Sequence, residues 1–147
     1  DLVIAHAAVR DEGTSDAYVK TAYPACADMS LVSTLVQQAK RLEYTAHCGY
    51  VRSHDSFYTD HEQEIDHYWS NKGILAADME TAALMVVGAL RHMRTASILN
   101  VVVEHNACLT EGINDYQQQE KSAQQGESRE ILLALETVYQ DSLEGRQ

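Results

Sequence analysis

The chain is short of basic residues and of long hydrophobic runs. Only 11 Lys and Arg face 22 Asp and Glu among its 147 residues, which gives a formal net charge of -11. Binding of a phosphate backbone requires clustered Lys and Arg, so this balance argues against nucleic acid or an anionic membrane as a partner. A small phosphorylated ligand held by a few local cations stays compatible with it. No apolar run approaches the roughly 20 residues that span a bilayer, and no signal-peptide pattern opens the chain.

Cysteine is also scarce. The three residues Cys26, Cys48 and Cys108 are widely spaced and form no CxxC pair. An odd number at such spacing argues against a disulfide framework and favours a reducing, cytoplasmic environment. We expect all three to be small buried hydrophobic side chains.

The signatures of several common enzyme classes are missing. The sequence contains no Walker loop, GxGxxG or GxSxG, which removes the usual nucleoside-triphosphate, dinucleotide and serine-hydrolase hypotheses. His61, Glu62 and His67 invite a metal interpretation, but they lack the HExxH spacing that places two imidazoles one helical turn apart. We therefore predict no metal site.

Strand-like and helix-like segments alternate along the chain. The patterns predict strands at 2–9, 44–51, 73–79 and 97–103, and helices at 30–42, 60–71, 80–93 and in the C-terminal segment. Residues 10–15 are predicted to be a polar loop, with Gly13 available for an unusual backbone angle. The C-terminal helix carries one apolar stripe made of Ile131, Leu132, Leu135, Val138 and Tyr139. This alternation predicts a single α/β domain with a parallel or mixed sheet.

The last three predicted strands end in side chains that could bind a ligand. The second strand leads to Phe57, the third to Asp78, Met79 and Glu80, and the fourth to Glu104. Ligands of open α/β sheets bind where neighbouring strands end, so these groups converge if the strands are neighbours. A stacking aromatic, a diol-binding carboxylate and a proton-donating acid together describe a nucleoside site.

Each of these side chains also has a simpler explanation. Phe57, the only phenylalanine, could belong to the core. Glu80 could be an acid that the helix dipole favours at a helix start, and Glu104 could be a solvated loop acid. Residue type and spacing leave these alternatives open.

Several segments, in this order and spacing, resemble the nucleoside phosphorylase family, which includes the purine nucleoside and uridine phosphorylases. The resemblance is carried by VRDEGTS at 9–15, YPACAD at 23–28, SHDSFY at 53–58, DME at 78–80, GALR at 88–91 and VVVE at 101–104. It implies an α/β fold around a mixed, partly barrelled sheet flanked by helices. It also implies that residues 1–147 form a single domain that is the C-terminal part of a longer phosphorylase domain.

The resemblance assigns a role to most of the candidate residues. Phe57 matches the aromatic that stacks on base and sugar, Met79 packs under the ribose, and Glu80 accepts the ribose hydroxyls. Asp78 stands where the family usually has Glu, and its role stays open. Glu104 matches an acid that protonates or hydrogen-bonds N7 of a leaving purine, which requires a pKa raised by partial burial.

The resemblance also bears on substrates and partners. Bacterial uridine phosphorylases read uracil with a Gln and an Arg, where this chain has His61 and Gln63. That difference and the short 58–73 segment favour a purine nucleoside, with uridine phosphorylase, a nucleosidase of the same fold and a non-catalytic nucleoside-binding subunit as alternatives. Phosphate is implied as co-substrate, no other cofactor is expected, and a homo-oligomer built from dimers, such as a hexamer, is implied. The family's phosphate site uses a Gly-rich loop and arginines, for which this chain has only the scattered Arg10, Arg41, Arg52, Arg91 and Arg94.

Overall fold

The computed structural model describes residues 1–103 and 120–144. Along the chain the elements are β1 (Leu2–Asp11), α1 (Gly13–Asp16), β2 (Ala25–Cys26), α2 (Met29–Arg41), β3 (Ala46–His54), α3 (Glu62–Ser70), β4 (Ile74–Asp78), α4 (Thr81–Leu90), β5 (Ser97–Asn100) and α5 (Glu120–Glu144). None of the helices in these two ranges is long and apolar enough to cross a membrane.

Five strands form one mixed sheet with the long β1 at its centre. The strand order is β2-β1-β3-β4, and β5 also pairs with β1. β3 runs parallel to β1, and β4 runs parallel to β3. β2 and β5 are both antiparallel to β1, with β2 beside its second half and β5 beside its first half. The predicted α/β class with a mixed sheet flanked by helices is confirmed, and the strands of the described ranges form an open sheet that does not close into a barrel.

The core lies between the sheet and three helices. Leu2, Val3, Ile4 and Ala5 of β1 are all buried, because helices or strands contact this stretch from several sides. α2 and α4 pack against β1 and β3, and α5 packs against α2 and β5. Met85 and Val86 of α4 are fully buried in this core. This packing leaves the ends of β3 and β4 at the margin of the core, where the candidate residues lie.

The helix starts follow local side-chain chemistry. Asp28 caps α2, since its carboxylate accepts hydrogen bonds from the backbone N–H groups of Ser30 and Leu31 at 3.0 and 3.1 Å. An acidic oxygen at this position satisfies N–H groups that have no partner within the helix. The helix then buries Val32 and Leu35 against the core.

The predicted polar loop at 10–15 is wrong. β1 continues to Asp11, and α1 begins two residues later. Glu12 caps this short helix, because its carboxylate accepts from the Ser15 backbone N–H at 2.9 Å. Gly13 does not adopt the positive φ that was expected; among the described glycines only Gly73 does, with φ 82°. Glu is not among the side chains that usually cap a helix, so the sequence carried no standard capping signal for this turn.

Two further predictions about which side chains are buried are wrong. Cys26 and Cys48 are exposed rather than buried; Cys108 lies outside the described residues. The predicted apolar stripe of α5 is exposed as well, with Leu135 at 62% of its full accessibility. The helix packs instead through Leu133 and Thr137, which are 0% and 3% exposed.

Candidate active site

The site is built where the neighbouring parallel strands β3 and β4 end. Ser53 and Asp78 are paired in the strand register, and the Ser53 hydroxyl donates to Asp78 Oδ1 at 2.6 Å. Ser53 is fully buried, as is Val51 two positions earlier, because alternate residues of a strand point to the same face. The ends of the second and third predicted strands therefore lie side by side at Ser53 and Asp78.

The Asp78 carboxylate accepts hydrogen bonds from the backbone at the start of α4. Its Oδ2 accepts from the backbone N–H of Thr81 at 2.8 Å and, more weakly, from that of Glu80 at 3.4 Å. The next N–H of the helix, that of Ala82, donates to the Ser53 hydroxyl at 2.8 Å. Two side chains from two strands thus satisfy the first N–H groups of α4, which an isolated helix leaves without partners.

Glu80 stands at the N-cap position of α4 without acting as a cap. Within residues 1–103 and 120–144, its side chain makes no capping hydrogen bond to the helix and accepts one hydrogen bond, from the adjacent backbone N–H of Met79 at 3.2 Å. Glu80 is exposed, whereas Met79 is partly buried. Glu80 therefore makes no capping hydrogen bond, although the helix dipole favours an acid at this position. Its carboxylate remains open to a ligand beside the Met79 thioether.

The aromatic side chains after β3 are outside the core. Phe57 is 46% exposed and Tyr58 is 68% exposed, and their rings meet edge to face with centroids 4.9 Å apart. The core explanation of Phe57 is wrong, since a core phenylalanine would be nearly inaccessible. An exposed ring at a strand exit can stack on a flat ligand.

His61 and Gln63 lie at the start of α3 and are exposed. His61 faces Glu64 with Nδ1 and Oε2 3.5 Å apart. Within residues 1–103 and 120–144, no hydrogen bond, ion pair or ring contact joins His61, Gln63 or Phe57 to the Asp78–Glu80 turn. The structure therefore brings together Ser53, Asp78 and Glu80 tightly, and leaves the aromatic and α3 side chains as open neighbours along the chain.

The fourth strand does not end where it was expected to end. β5 is antiparallel to β1, so that Asn100 lies beside Leu2 and Ser97 beside Ala5, whereas the site lies at the Arg10 end of β1, where Ser53 pairs. The last residue of β5 therefore lies at the end of β1 that is opposite to the site. The first residue of β5 is nearer to the site, since the hydroxyls of Ser97 and Thr81 are 2.7 Å apart. The candidate acid Glu104 lies outside the described residues.

A second network, not found from the sequence, braces the site from β1. Arg10 is 4% exposed in its side chain, and its five N–H groups all donate, to the Ser15 hydroxyl, the Asp16 carboxylate and the backbone carbonyls of Val19, Lys20 and Tyr23. The Ser15 hydroxyl in turn donates to Glu12. An arginine whose donors are all used internally cannot also bind a phosphate.

Two contacts tie this β1 network to the exit of β3. The Gly13 N–H donates to Asp55 Oδ2 at 2.8 Å, two residues before Phe57. Arg52 donates from Nε to Asp11 at 2.8 Å and lies 5.4 Å from the centre of the Trp69 ring on α3. These contacts fix the segments that carry Phe57 and α3 to the end of β1.

Comparison with known proteins identifies the family. The family model described as "Phosphorylase superfamily" matches residues 1–138. The chain belongs to the phosphorylase superfamily.

Relatives within this superfamily include several nucleoside phosphorylases. The chain is 32% identical over 126 residues to a uridine phosphorylase of Treponema pallidum, which covers 79% of this chain and 48% of the relative. It is 28% identical over 138 residues to a guanosine phosphorylase of Halorubrum lacusprofundi, which covers 94% of this chain and 57% of the relative. The chain thus spans about half the length of these superfamily members.

The superfamily fold is also seen in solved structures. A crystal structure of uridine phosphorylase from Vibrio fischeri ES114 superposes with a TM-score of 0.83 at 44% sequence identity, over 95% of this chain and 56% of that chain. The nucleoside phosphorylase resemblance drawn from the sequence motifs is confirmed by these matches.

Proposed function

We propose that the protein containing this chain is a nucleoside phosphorylase, which uses phosphate to cleave the N-glycosidic bond of a nucleoside. The observation that carries the proposal is the uncommitted Glu80 carboxylate, which stands beside Met79 at the joint end of β3 and β4 while Asp78 occupies the helix start. The names of the relatives, uridine and guanosine phosphorylase, support the same reaction class.

The ribose is proposed to bind at Glu80. An ionised carboxylate is a pure acceptor with two oxygens, so it can receive both hydroxyls of a vicinal diol. Met79 offers a polarizable, partly apolar surface for the carbon face of the sugar. Both residues come from one turn whose backbone is held by Ser53 and Asp78, so the diol site is fixed before a ligand arrives.

Cleavage of the N-glycosidic bond requires the sugar to be held between the phosphate, which is the nucleophile, and the nucleobase, which leaves. A phosphate oxygen attacks the anomeric carbon, the bond from that carbon to the base nitrogen breaks, and its electron pair leaves with the base. The products are ribose 1-phosphate and the free base, which takes up a proton. By the family resemblance Glu104 is proposed to supply or share that proton at N7 of a purine, and a positioned acid of this kind contributes roughly 10²–10⁴-fold.

The base is proposed to stack on Phe57, with His61 and Gln63 near its edge. The lack of an Arg at these α3 positions favours a purine nucleoside. Uridine is the second candidate substrate, because the Vibrio fischeri and Treponema pallidum relatives are named uridine phosphorylases. Phosphate is proposed to bind at cations other than Arg10, whose five donors are already used.

The test is base release by the full-length protein from inosine, guanosine, adenosine and uridine, each with and without phosphate. Phosphate-dependent release of hypoxanthine or guanine, with ribose 1-phosphate formed in equal amount, is the expected result. Uracil release with phosphate would transfer the assignment to the second candidate. Base release at the same rate with and without phosphate would mean hydrolysis. No base release from any nucleoside would overturn the proposal.

A further inference from the structure

We propose that Ser53 and Asp78 are a pair of positioning residues that act through Glu80. They hold the first turn of α4 so that the Glu80 carboxylate is left free for the substrate, and neither residue contacts the substrate itself. This inference rests on the proposed function, since it assigns a supporting role within the same site.

Burial and connectivity single out Ser53. Its side chain is fully buried, and its oxygen donates to Asp78 at 2.6 Å while accepting from the Ala82 N–H at 2.8 Å. One hydroxyl thereby joins β3, β4 and α4. A buried polar group that satisfies both its donor and acceptor capacity in this way fixes one arrangement, because every alternative leaves a buried group unpaired.

The hydrogen bonds that Asp78 accepts show why its carboxylate is not free to bind a ligand. Its carboxylate accepts from the Ser53 hydroxyl and from the backbone N–H groups of Thr81 and Glu80, three of the roughly four acceptor sites that a carboxylate has. In the part of the chain that the structure describes, Glu80 by contrast accepts one hydrogen bond, from the Met79 backbone N–H. The two acids of the same turn therefore divide the work, one holding the backbone and the other facing outward.

The length of Asp78 suits this division. Asp is a short acid, and short acids favour hydrogen bonds to nearby backbone N–H groups. Replacing Asp78 by Glu would keep the charge but move the carboxylate past the N–H groups of Glu80 and Thr81. In this chain the conservative replacement for the role is therefore Asn, which retains one acceptor and is a good helix-start residue.

The experiment compares a ribonucleoside with its 2′,3′-dideoxy analogue in the full-length protein. The dideoxy substrate lacks the hydroxyls assigned to Glu80, so loss of positioning should lower kcat/KM for the ribonucleoside alone. We expect Ser53→Ala and Asp78→Ala each to reduce the ratio of the two kcat/KM values by about tenfold, the equivalent of one charge-assisted hydrogen bond. Asp78→Asn should restore most of the ratio.

The decisive arm places the same changes in a Glu80→Ala background. If the pair acts through Glu80, Ser53→Ala and Asp78→Ala cause no further loss of the ratio there, because the effects of coupled residues are not additive. A full further tenfold loss would mean that Asp78 contacts the substrate directly, and equal losses for both substrates would mean a purely structural role. Either result overturns the proposal.

A matched control and a substrate-free measurement separate this inference from the proposed function. Ser56→Ala removes an exposed hydroxyl that donates to the Tyr58 carbonyl on the same strand exit, and it should leave the ratio unchanged. Hydrogen exchange of the Ala82 and Thr81 amides should quicken at least about tenfold in Ser53→Ala. If no nucleoside is cleaved, the proposed function fails while the exchange result still decides whether the pair holds the helix start. Unchanged exchange would overturn the pairing.

Discussion

The Nε–H of Arg10 donates to the hydroxyl of Ser15 across 2.7 Å, and this contact explains why the 10–15 segment is folded rather than a loop. Ser15 passes the interaction on to Glu12, which is 5% exposed. The remaining four donors of Arg10 go to Asp16 and to three backbone carbonyls. The arginine thereby turns the chain from β1 towards β2 and is a structural residue of the fold.

Arg10→Ala should destabilise the protein strongly. The change leaves the Ser15 hydroxyl, the Asp16 carboxylate and three backbone carbonyls without their Arg10 donors, and each acceptor left unsatisfied in a buried position costs about 1–3 kcal/mol. Urea unfolding followed by circular dichroism measures the free energy of unfolding. The matched control is Arg41→Ala, which removes an exposed bridge to Glu136 and should cost about 1 kcal/mol or less. A cost for Arg10→Ala no larger than that control would refute the structural assignment.

Phe57→Ala should weaken nucleoside binding without unfolding the protein. Because the ring is 46% exposed, its removal should cost less than about 1 kcal/mol of stability, against about 3–5 kcal/mol for a core phenylalanine. Loss of a stacking face costs about 1–3 kcal/mol per base, which is roughly tenfold or more in affinity. Calorimetric titration with a nucleoside gives the affinity, and Tyr139→Ala on α5 is an exposed aromatic control. A fall in stability with unchanged affinity would return Phe57 to a packing role.

Leu133→Ala and Leu135→Ala should differ sharply although they lie two residues apart on α5. Leu133 is 0% exposed and Leu135 is 62% exposed, so the first change creates a cavity and the second does not. We expect a loss of about 2–5 kcal/mol for Leu133→Ala and of about 0.5 kcal/mol or less for Leu135→Ala. Denaturant unfolding of the two variants side by side decides the matter, and equal losses would show that α5 packs through another face.

Stability should fall on acidification because two aspartates have lowered pKa values. The Ser30 hydroxyl, with the backbone N–H groups of Ser30 and Leu31, holds the pKa of Asp28 below its ordinary value, and the hydrogen bond from Arg94 does the same for the pKa of Asp141. A folded-state pKa below the unfolded one means that the unfolded state binds more protons, so stability rises with pH through this window. The stabilisation is complete above the unfolded value of about 3.9 and is lost as pH falls through the folded values.

The matching measurement is the urea midpoint between pH 5 and pH 2.5 for the wild type and for Asp28→Asn. Asn keeps an acceptor at the helix cap and removes the titrating group, so the variant should show a flatter pH dependence. Ser33→Asn on the exposed side of α2 serves as the control and should follow the wild type. Parallel profiles for the wild type and Asp28→Asn would contradict the assignment.

Much of the fold followed from periodicity, and the exceptions have physical causes. The strands β1, β3 and β4 and the helix α2 lie close to their predicted ranges, since apolar residues recur there with the period of the element. Strand direction was not readable: β5 has the composition of a parallel strand but pairs antiparallel with β1. The exposed Cys48 was missed because exposure depends on which helices cover a sheet face, a tertiary property.

The residues of the candidate site could be predicted from the sequence, but the different hydrogen bonding of Asp78 and Glu80 could not. The Asp78–Glu80 turn stands at a strand end, as the pattern of an apolar run followed by acids indicated. Asp78 accepts from the first N–H groups of α4 and also from Ser53, which is 25 positions earlier in the chain. A contact across two strands has no local signature, so the sequence offered only two acids side by side.

The central claim is that the free Glu80 carboxylate holds the ribose, and its most direct test is the affinity of the full-length protein for a ribonucleoside and for the 2′,3′-dideoxy analogue. The wild type should bind the ribonucleoside at least about tenfold more tightly, because hydrogen bonds to a charged acceptor contribute about 1.5–3 kcal/mol. In Glu80→Gln that preference should largely disappear, with the stability of the fold unchanged. A preference for the ribonucleoside that survives in Glu80→Gln would contradict the account.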